Sequence, residues 1–266
     1  MSFIITFLAA LFVFGAVIAI HEFGHFAVAK LCGVQVNEFS IGMGPALWHN
    51  IYHGTQYSLR LLPVGGYVAL EGEESPESQQ AETLRDTPEP PLTGEVAVWQ
   101  RMLVMAAGAF MNFVLGFVVL VLLISARNEP ITSRVIYKIN EGALCGQTGL
   151  EAGDKVLAVN GRRCFVANDM IYELVRTEQY RADFTVLRDG KTVELPDVQF
   201  DTWVDDSGET HMSLGFTVYG IQKTPLNVLK EAGNSVLYYG RIIYTSLADL
   251  VRGRESINNL SGPVGI

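Results

Sequence analysis

The sequence predicts a multi-span α-helical membrane protein, with two transmembrane helices in this chain and an inserted mixed α/β domain. Two long apolar blocks, residues 3–31 and 102–126, indicate the membrane part. Glycine-punctuated segments of alternating polarity after the second block indicate the α/β domain. The chain is 49% hydrophobic and 18% charged, so the prediction depends on where the apolar residues lie and not on their fraction.

The first helix is predicted over Phe3 to Leu31. A secretory signal peptide would begin with basic residues and end in a small-residue cleavage site. No basic residue precedes this block, and its apolar character continues past HEFGH through FAVAK. We therefore expect a span that is not cleaved.

The second helix is predicted over Met102 to Ala126, flanked by Arg101 and Arg127. At about 25 residues it is long enough to cross a bilayer with some tilt.

Between the two blocks, TQYSLRLLPVGGYVAL (Thr55 to Leu70) predicts two short strands joined at a turn around Gly65-Gly66, with pairing limited by Pro63. Residues 71–91 are rich in Glu, Pro, Ser and Gln and predict a flexible acidic loop.

After the second block, the pattern is that of a small mixed α/β domain. It contains a strand candidate at 133–140, hairpin turns at Asn160-Gly161 and Asp189-Gly190, and a helix over 168–178 with Asn168 as its N-cap. The runs GLEAGDKVLAVNG and LRDGK, in this order, resemble a PDZ domain. PDZ domains bind extended chain ends by adding them to a sheet edge, although a domain that only shields or spaces is the alternative.

The last segment, 228–253, has apolar residues at helical spacing interrupted by charges, which predicts an amphipathic helix on the membrane or on the other helices. The predicted organisation is a membrane core over 1–126, a PDZ-like domain over 127–203, and a linker with this helix over 204–266.

Charge and cysteine content exclude several classes of protein. A net charge of −9 argues against nucleic acid as a partner, because phosphate binding needs clustered Lys and Arg. Three cysteines without a CxxC pair exclude a disulfide scaffold and a cysteine-based zinc site. Whether Cys145 and Cys164 pair stays open at this level.

The first block ends in HEFGH, which places His21 and His25 one helical turn apart on one face, so that two imidazoles can converge on one ion. Zn²⁺ accepts imidazole ligands, and the neighbouring Glu22 can reach a water on such an ion and take its proton. His21 lies roughly 27 Å along the helix from Phe3, near one surface of a bilayer core. Ionisable groups inside a span suggest function, whereas a helix that has already left the membrane would make the cluster merely interfacial.

With these motifs in this order, the chain resembles the site-2 protease family of intramembrane zinc metalloproteases, most closely its bacterial RseP-type members with a single PDZ domain. The resemblance covers nearly the whole chain. It is carried by HEFGH, GMGP, LPVGGYVALEGE, AAGAFMNFVLG, the PDZ-like block and LSGPVGI.

The resemblance implies roles for individual residues. His21 and His25 would be zinc ligands, and Glu22 the catalytic general base. Asn112 would position substrate or an oxyanion, although a hydrogen bond between helices is the competing interpretation. Gly65, Gly66 and Tyr67 would belong to a re-entrant β element that presents the substrate in extended form.

The sequence departs from the family pattern at two points. Gly108 is followed by Ala109 where the family shows Gly-Pro, a change that we expect to alter a helix kink. The family's third protein ligand is an Asp on a later span, expected beyond Ile266. Two histidines alone make a weak zinc site, so this chain by itself is expected to be inactive.

The function implied is hydrolysis of peptide bonds within or near transmembrane segments, in substrates such as single-span anti-sigma factors or signal-peptide remnants. The implied location is the bacterial inner membrane, with the zinc site near the cytoplasmic face and the PDZ-like domain outside. The lipid bilayer and peptide ends at the PDZ-like domain are the other implied partners. The alternatives are a membrane-anchored PDZ adaptor with an inactive metal motif and, less favoured, a metal transporter.

Overall fold

The protein is described by a computed structural model that covers residues 3–70, 97–206 and 208–253. It forms two compact units, Met1–Val118 and Val119–Ile266. The predicted acidic loop at 71–91 and the LSGPVGI motif lie outside the described residues.

Two long helices are apolar enough to cross a membrane, α1 (Phe3–Leu31) and α2 (Val98–Ala126). The first has the predicted bounds, and the second begins earlier than the predicted Met102. Within the described part of α1, the buried residues are Gly24 and Ala29, and its large apolar side chains are mostly exposed. An apolar surface of this kind is suited to lipid contact.

The two helices approach closely at Gly24. A Cβ atom at this position would lie 2.5 Å from the Ala107 carbonyl oxygen and 2.8 Å from Met111 Cγ on α2. Only glycine leaves room for this contact, because real Cβ atoms do not approach backbone at such distances. The glycine inside HEFGH therefore sets the packing of α1 on α2.

A small sheet follows α1 and is built from two long, bent strands, β1 (Val36–Tyr52) and β2 (Thr55–Leu70). They meet at a tight turn in which His53 and Gly54 both have positive φ. Residues 36–41 of β1 pair on one side with 66–70 of β2 and on the other with 56–59, while 46–52 of β1 pair with 55–60 of β2. The segment order is therefore 66–70, 36–41, 55–60, 46–52.

This register corrects the prediction of two short strands joined around Gly65-Gly66. The two halves of β2 do not pair with each other, because the first half of β1 lies between them. Gly65, at φ +90°, is where β2 changes direction. Within the described residues, segment 66–70 pairs on one side only and forms an edge of the sheet.

An aromatic cluster fastens the sheet to α1. Phe26, which follows His25 in α1, lies 5.0 Å from Phe39 and 5.8 Å from Tyr57 between ring centroids. Offset and edge-to-face aromatic pairs of this kind add to the energy of burial. The sheet is thus held against the helical turn that carries HEFGH.

The second unit contains a five-stranded path in the order β10-β3-β4-β6-β7, with β5 paired to β4. In chain order, its elements are β3 (Ile131–Ile139), α3 (Leu144–Gln147), β4 (Lys155–Val159), β5 (Arg162–Arg163), α4 (Ala167–Val175), a 3₁₀ turn (Glu178–Tyr180), β6 (Arg181–Arg188), β7 (Lys191–Gln199), β8 (Asp201–Val204), β9 (Thr210–Ser213) and β10 (Phe216–Ile221). The core consists of buried apolar side chains that include Ile136, Leu150, Val156, Phe184, Val186 and Val198.

Both predicted hairpin turns are present. Asn160-Gly161 joins β4 to β5 and Asp189-Gly190 joins β6 to β7, and all four residues have positive φ. The primed turns of two-residue hairpins require this conformation, which Asn, Asp and Gly tolerate best.

The predicted N-cap of the following helix is wrong. Helix α4 begins at Ala167, and Asn168 lies inside it. The carboxylate of Asp169 accepts hydrogen bonds from the backbone N–H groups of Phe165 (2.5 Å) and Val166 (2.9 Å). The helix start is therefore satisfied from within its first turn, because an acidic side chain near the N-terminus can reach back to unpaired N–H groups.

The folded unit continues past the predicted boundary at residue 203. Strand β10 pairs with β3, and Phe216 belongs to the buried core, so the predicted domain end leaves out one strand of the sheet. The amphipathic helix follows as α5 (Pro225–Val251). Its Arg241 contacts the buried Asp169 of α4, so this helix packs on the domain.

The three cysteines are free. Burial, with a contribution from the neighbouring Asp169 charge, raises the pKa of the Cys164 thiol to about 12, so that the thiol stays protonated at neutral pH.

We expect the substitution Gly24→Ala to destabilise the first unit by on the order of 1–3 kcal/mol, because the added methyl group must displace the Ala107 backbone. Gly116→Ala is the matched control, since a Cβ at this α2 position meets nothing within 4 Å among the described residues. Thermal unfolding in detergent measures both variants. Equal midpoints for the two would contradict the packing role of Gly24.

Candidate metal centre

The two histidines of HEFGH lie on the face of α1 that meets α2. Their ring centroids are 4.8 Å apart and the rings are inclined at 77°. Both side chains are partly buried. The spacing of four residues therefore has the predicted effect of placing two imidazoles side by side.

Both Nε2 atoms converge on one point beside Gly108 of α2. A Cβ atom at residue 108 would lie 2.7 Å from His21 Nε2 and closer still to His25 Nε2. Because Zn–N bonds are about 2.0–2.1 Å long, an ion held by both nitrogens needs the space that the missing side chain leaves open. We call this space, bounded by His21, His25 and Gly108, the Gly108 cradle; it exists because residue 108 has no side chain.

The other ring nitrogen of His25 fixes its tautomer. His25 Nδ1 lies 2.7 Å from the Val104 carbonyl oxygen, which can only accept a hydrogen bond. Nδ1 therefore carries the hydrogen, which leaves Nε2 as the nitrogen that can bind a metal. A metal-binding histidine usually donates a hydrogen bond from its other ring nitrogen in this way.

His21 is contacted from α2 by Asn112, whose amide nitrogen lies 3.2 Å from His21 Nδ1. The amide oxygen of Asn112 is buried and has no hydrogen-bond partner within the described residues. Rotation of the Asn112 amide by half a turn exchanges its nitrogen and its oxygen. The oxygen then lies at His21 Nδ1 and accepts the ring hydrogen, which leaves Nε2 for a metal. The position of Asn112 accords with a bond between the two helices and with the orientation of a ligand.

Glu22 lies beside the sheet edge. A Cβ atom at Gly66 would lie 3.2 Å from Glu22 Cγ and 2.8 Å from the Ser40 carbonyl oxygen. The glycine thus lets the strand backbone come close to the carboxylate. This places the side chain of the predicted base against segment 66–70.

Gly65 and Tyr67, the other two residues of this segment predicted to position substrate, contact other parts of the sheet. Gly65 is covered by the Met43 side chain, whose Cγ would lie 2.9 Å from a Cβ at that position. The Tyr67 hydroxyl donates a hydrogen bond to Glu38 Oε2 at 2.6 Å. Their contribution to this region is therefore through the backbone.

Sequence reasoning missed the role of Gly108, which it treated only as a departure affecting a kink. A glycine in the second apolar block, opposite HEFGH, is the sequence feature that could have indicated this role. Among the described residues, the one geometric group of three potential metal ligands is Asp205, Glu209 and His211, near the β8–β9 turn of the second unit. No third protein ligand beside His21 and His25 is found within the described part of the chain.

The donor set fits a zinc ion as far as it goes. Two imidazoles whose Nε2 atoms face the space beside Gly108, one of them held at Nδ1 by the Val104 carbonyl, are typical zinc ligands.

Comparison with known proteins gives a consistent result. The model of the family described as peptidase family M50 matches residues 9–266. "Putative zinc metalloprotease CPE1693" of Clostridium perfringens is 32% identical over 259 residues, which cover 97% of this chain and 72% of the relative. "Regulator of sigma-W protease RasP" of Bacillus subtilis is 25% identical over 335 residues, covering 99% and 79% of the two chains. A "Putative zinc metalloprotease" of Helicobacter pylori is 30% identical, covering 98% and 75%.

We expect Gly108→Ala to abolish stoichiometric metal binding, because the new methyl group would lie where the two Nε2 atoms converge. The measurement is metal content of the purified protein by mass spectrometry after dialysis against limiting zinc. Gly116→Ala, on the same helix, serves as the control and should bind zinc like the unsubstituted protein. Full zinc content in Gly108→Ala would show that the ion lies elsewhere.

Proposed function

The chain belongs to peptidase family M50, the site-2 protease family, and from this membership we propose that it hydrolyses peptide bonds within or near transmembrane segments of single-span membrane proteins. The cofactor is Zn²⁺, since the relatives are named zinc metalloproteases. The observation that carries the proposal is the convergence of His21 and His25 on the Gly108 cradle, with Glu22 beside segment 66–70, which pairs on one side only within the described residues.

In this proposal His21 and His25 hold the zinc ion through Nε2. Bound zinc lowers the pKa of a water molecule and polarises a carbonyl group. Glu22 takes a proton from the attacking water and returns it to the leaving amine, which is the work of a general base followed by a general acid. Asn112 and the Val104 carbonyl keep the two rings in place.

Besides activating water, such a reaction must expose the peptide bond of a helical substrate, and the strand edge at 66–70 can do this. A peptide bond inside a membrane helix is hydrogen-bonded and shielded, so the substrate must be locally unwound. An extended substrate segment could pair with the open side of residues 66–70, which would satisfy its freed backbone groups next to Glu22. We therefore propose that Gly65, Gly66 and Tyr67 position substrate through their backbone, as part of a re-entrant β element.

We further propose that the second unit is a single PDZ-like domain of the RseP type that regulates substrate access by receiving peptide ends. The two hairpins and the helix α4 support this interpretation. On the charges of Lys30 and Arg101, the segment between the spans lies on the cytoplasmic side of a bacterial inner membrane and residues after α2 lie outside.

We expect Glu22→Gln in the full-length protein to lower the cleavage rate of a single-span test substrate by roughly 10²–10⁴-fold, because the general base is lost. Its zinc content should not change, since Glu22 is not assigned as a ligand. His25→Ala is the contrasting variant and should lose both zinc and cleavage. The readouts are gel-based cleavage in proteoliposomes and metal analysis.

Zinc-dependent cleavage by Glu22→Gln at the unsubstituted rate would refute this assignment. A full-length, zinc-loaded protein that binds peptides at its PDZ-like domain but cleaves nothing would favour the adaptor alternative.

A further inference from the structure

A buried ionic network lies inside the small sheet, next to the candidate metal centre but separate from it. The Glu38 side chain has no exposed surface, and its carboxylate is paired with Arg60 at 2.9 Å. It also accepts hydrogen bonds from Ser58 and Tyr67. A buried carboxylate is costly unless it is paired and hydrogen-bonded, and here it has three donors.

Arg60 is equally well occupied. Its guanidinium donates to Ser40 Oγ (2.9 Å), to the Gly44 carbonyl (2.8 Å) and to Glu38, and it lies 5.1 Å from the centroid of the Tyr67 ring. A planar guanidinium suits such a junction because its donors point in fixed directions.

Glu38 and its partners come from three neighbouring strand segments of the sheet. Glu38 lies in the central segment 36–41, Ser58 and Arg60 in the segment 55–60, and Tyr67 in the edge segment 66–70. Glu38 therefore ties the two halves of β2 to the β1 segment between them. Without these bonds, residues 61–65 could let the edge segment shift.

The edge segment is the one that meets Glu22. Gly66 directly precedes Tyr67, and its backbone lies against Glu22 Cγ and the Ser40 carbonyl. Any displacement of Tyr67 thus moves the strand that flanks the carboxylate.

We propose that Glu38, acting through Arg60 and Tyr67, is a positioning residue that holds strand segment 66–70 at a fixed distance from Glu22. The inference rests on the proposed function and deepens it, because it names the device that keeps the substrate-pairing edge in register with the general base. Glu38 touches neither the metal ligands nor a reacting atom. Its effect is therefore on the geometry of substrate binding and not on metal loading.

The charge state of Glu38 is consistent with this role. Burial by itself raises the pKa of the carboxyl group, but hydrogen bonds from Ser58, Tyr67 and Arg60 outweigh it and bring the pKa below its ordinary value. The carboxylate thus stays ionised at neutral pH and keeps all three donors.

The test is Glu38→Gln in the full-length, zinc-loaded protein, because it removes the charge at nearly constant volume. We expect wild-type zinc content, a kcat/KM at least ten-fold lower with a raised KM, and faster hydrogen exchange of residues 66–70 while α1 exchanges as before. Tyr67→Phe, which removes a single hydroxyl, should change the same quantities in the same direction but less. This milder variant keeps the test decisive if Glu38→Gln folds poorly.

Asp154→Asn is the matched control. Asp154 is likewise a fully buried carboxylate, paired with Arg188 at 2.7 Å, but it belongs to the second unit. It should leave the exchange of residues 66–70 and the kcat/KM of the folded fraction unchanged.

Two results would overturn the proposal. One is a zinc-loaded Glu38→Gln protein with wild-type kcat/KM and wild-type exchange at 66–70. The other is uniform loss of protection across α1 and the sheet together with loss of zinc, which would mark a general structural role. If the unsubstituted protein does not cleave, the proposed function fails, whereas the exchange and zinc measurements still decide whether Glu38 holds the strand.

Discussion

The close approach of two apolar helices is the constraint on which the rest of the first unit depends. Gly24 lets α1 touch the backbone of α2 at Ala107, and one residue further along α2 Gly108 leaves a space opposite the two imidazoles. A larger residue at the first position would push the helices apart, and one at the second would fill the space. Polar groups in an apolar helix need such a partner surface, because lipid offers them no hydrogen bonds.

Within that contact, α2 supplies the groups that orient the histidines. The Val104 carbonyl and the Asn112 side chain address the Nδ1 atoms of His25 and His21, so that both Nε2 atoms can face the same space. Gly108 lies between Val104 and Asn112, one helical turn from each, which places all three on one face of the helix. Helix α2 is therefore part of the candidate centre even though, in its described residues, it provides no ligand of its own.

Much of this was open to prediction, but not all. The length of the apolar blocks determines the two long helices, the four-residue spacing of His21 and His25 determines their shared face, and Asn160-Gly161 specifies a hairpin, since each depends on local sequence. The strand order around Glu38 depends instead on contacts between segments up to 34 residues apart, as for Val36 and Leu70, and a Gly or an Arg carries no signal of its distant partner. The same reason hid the role of Gly108 and the pairing of β10 with β3.

The proposed hydrolysis within a membrane helix must reconcile two opposed requirements. The bond to be cut has to leave its helix, yet an unpaired backbone in an apolar setting costs several kcal/mol for each lost hydrogen bond. A strand edge offers new partners only if it does not shift, and the bent β2 has glycines at its turning point that would favour such a shift. A buried Glu38–Arg60 pair resists it, because separating the two charges would leave each unpaired in the interior. In the proposed mechanism, the buried Glu38–Arg60 pair would keep the sheet rigid, while Gly66 lets its backbone approach Glu22.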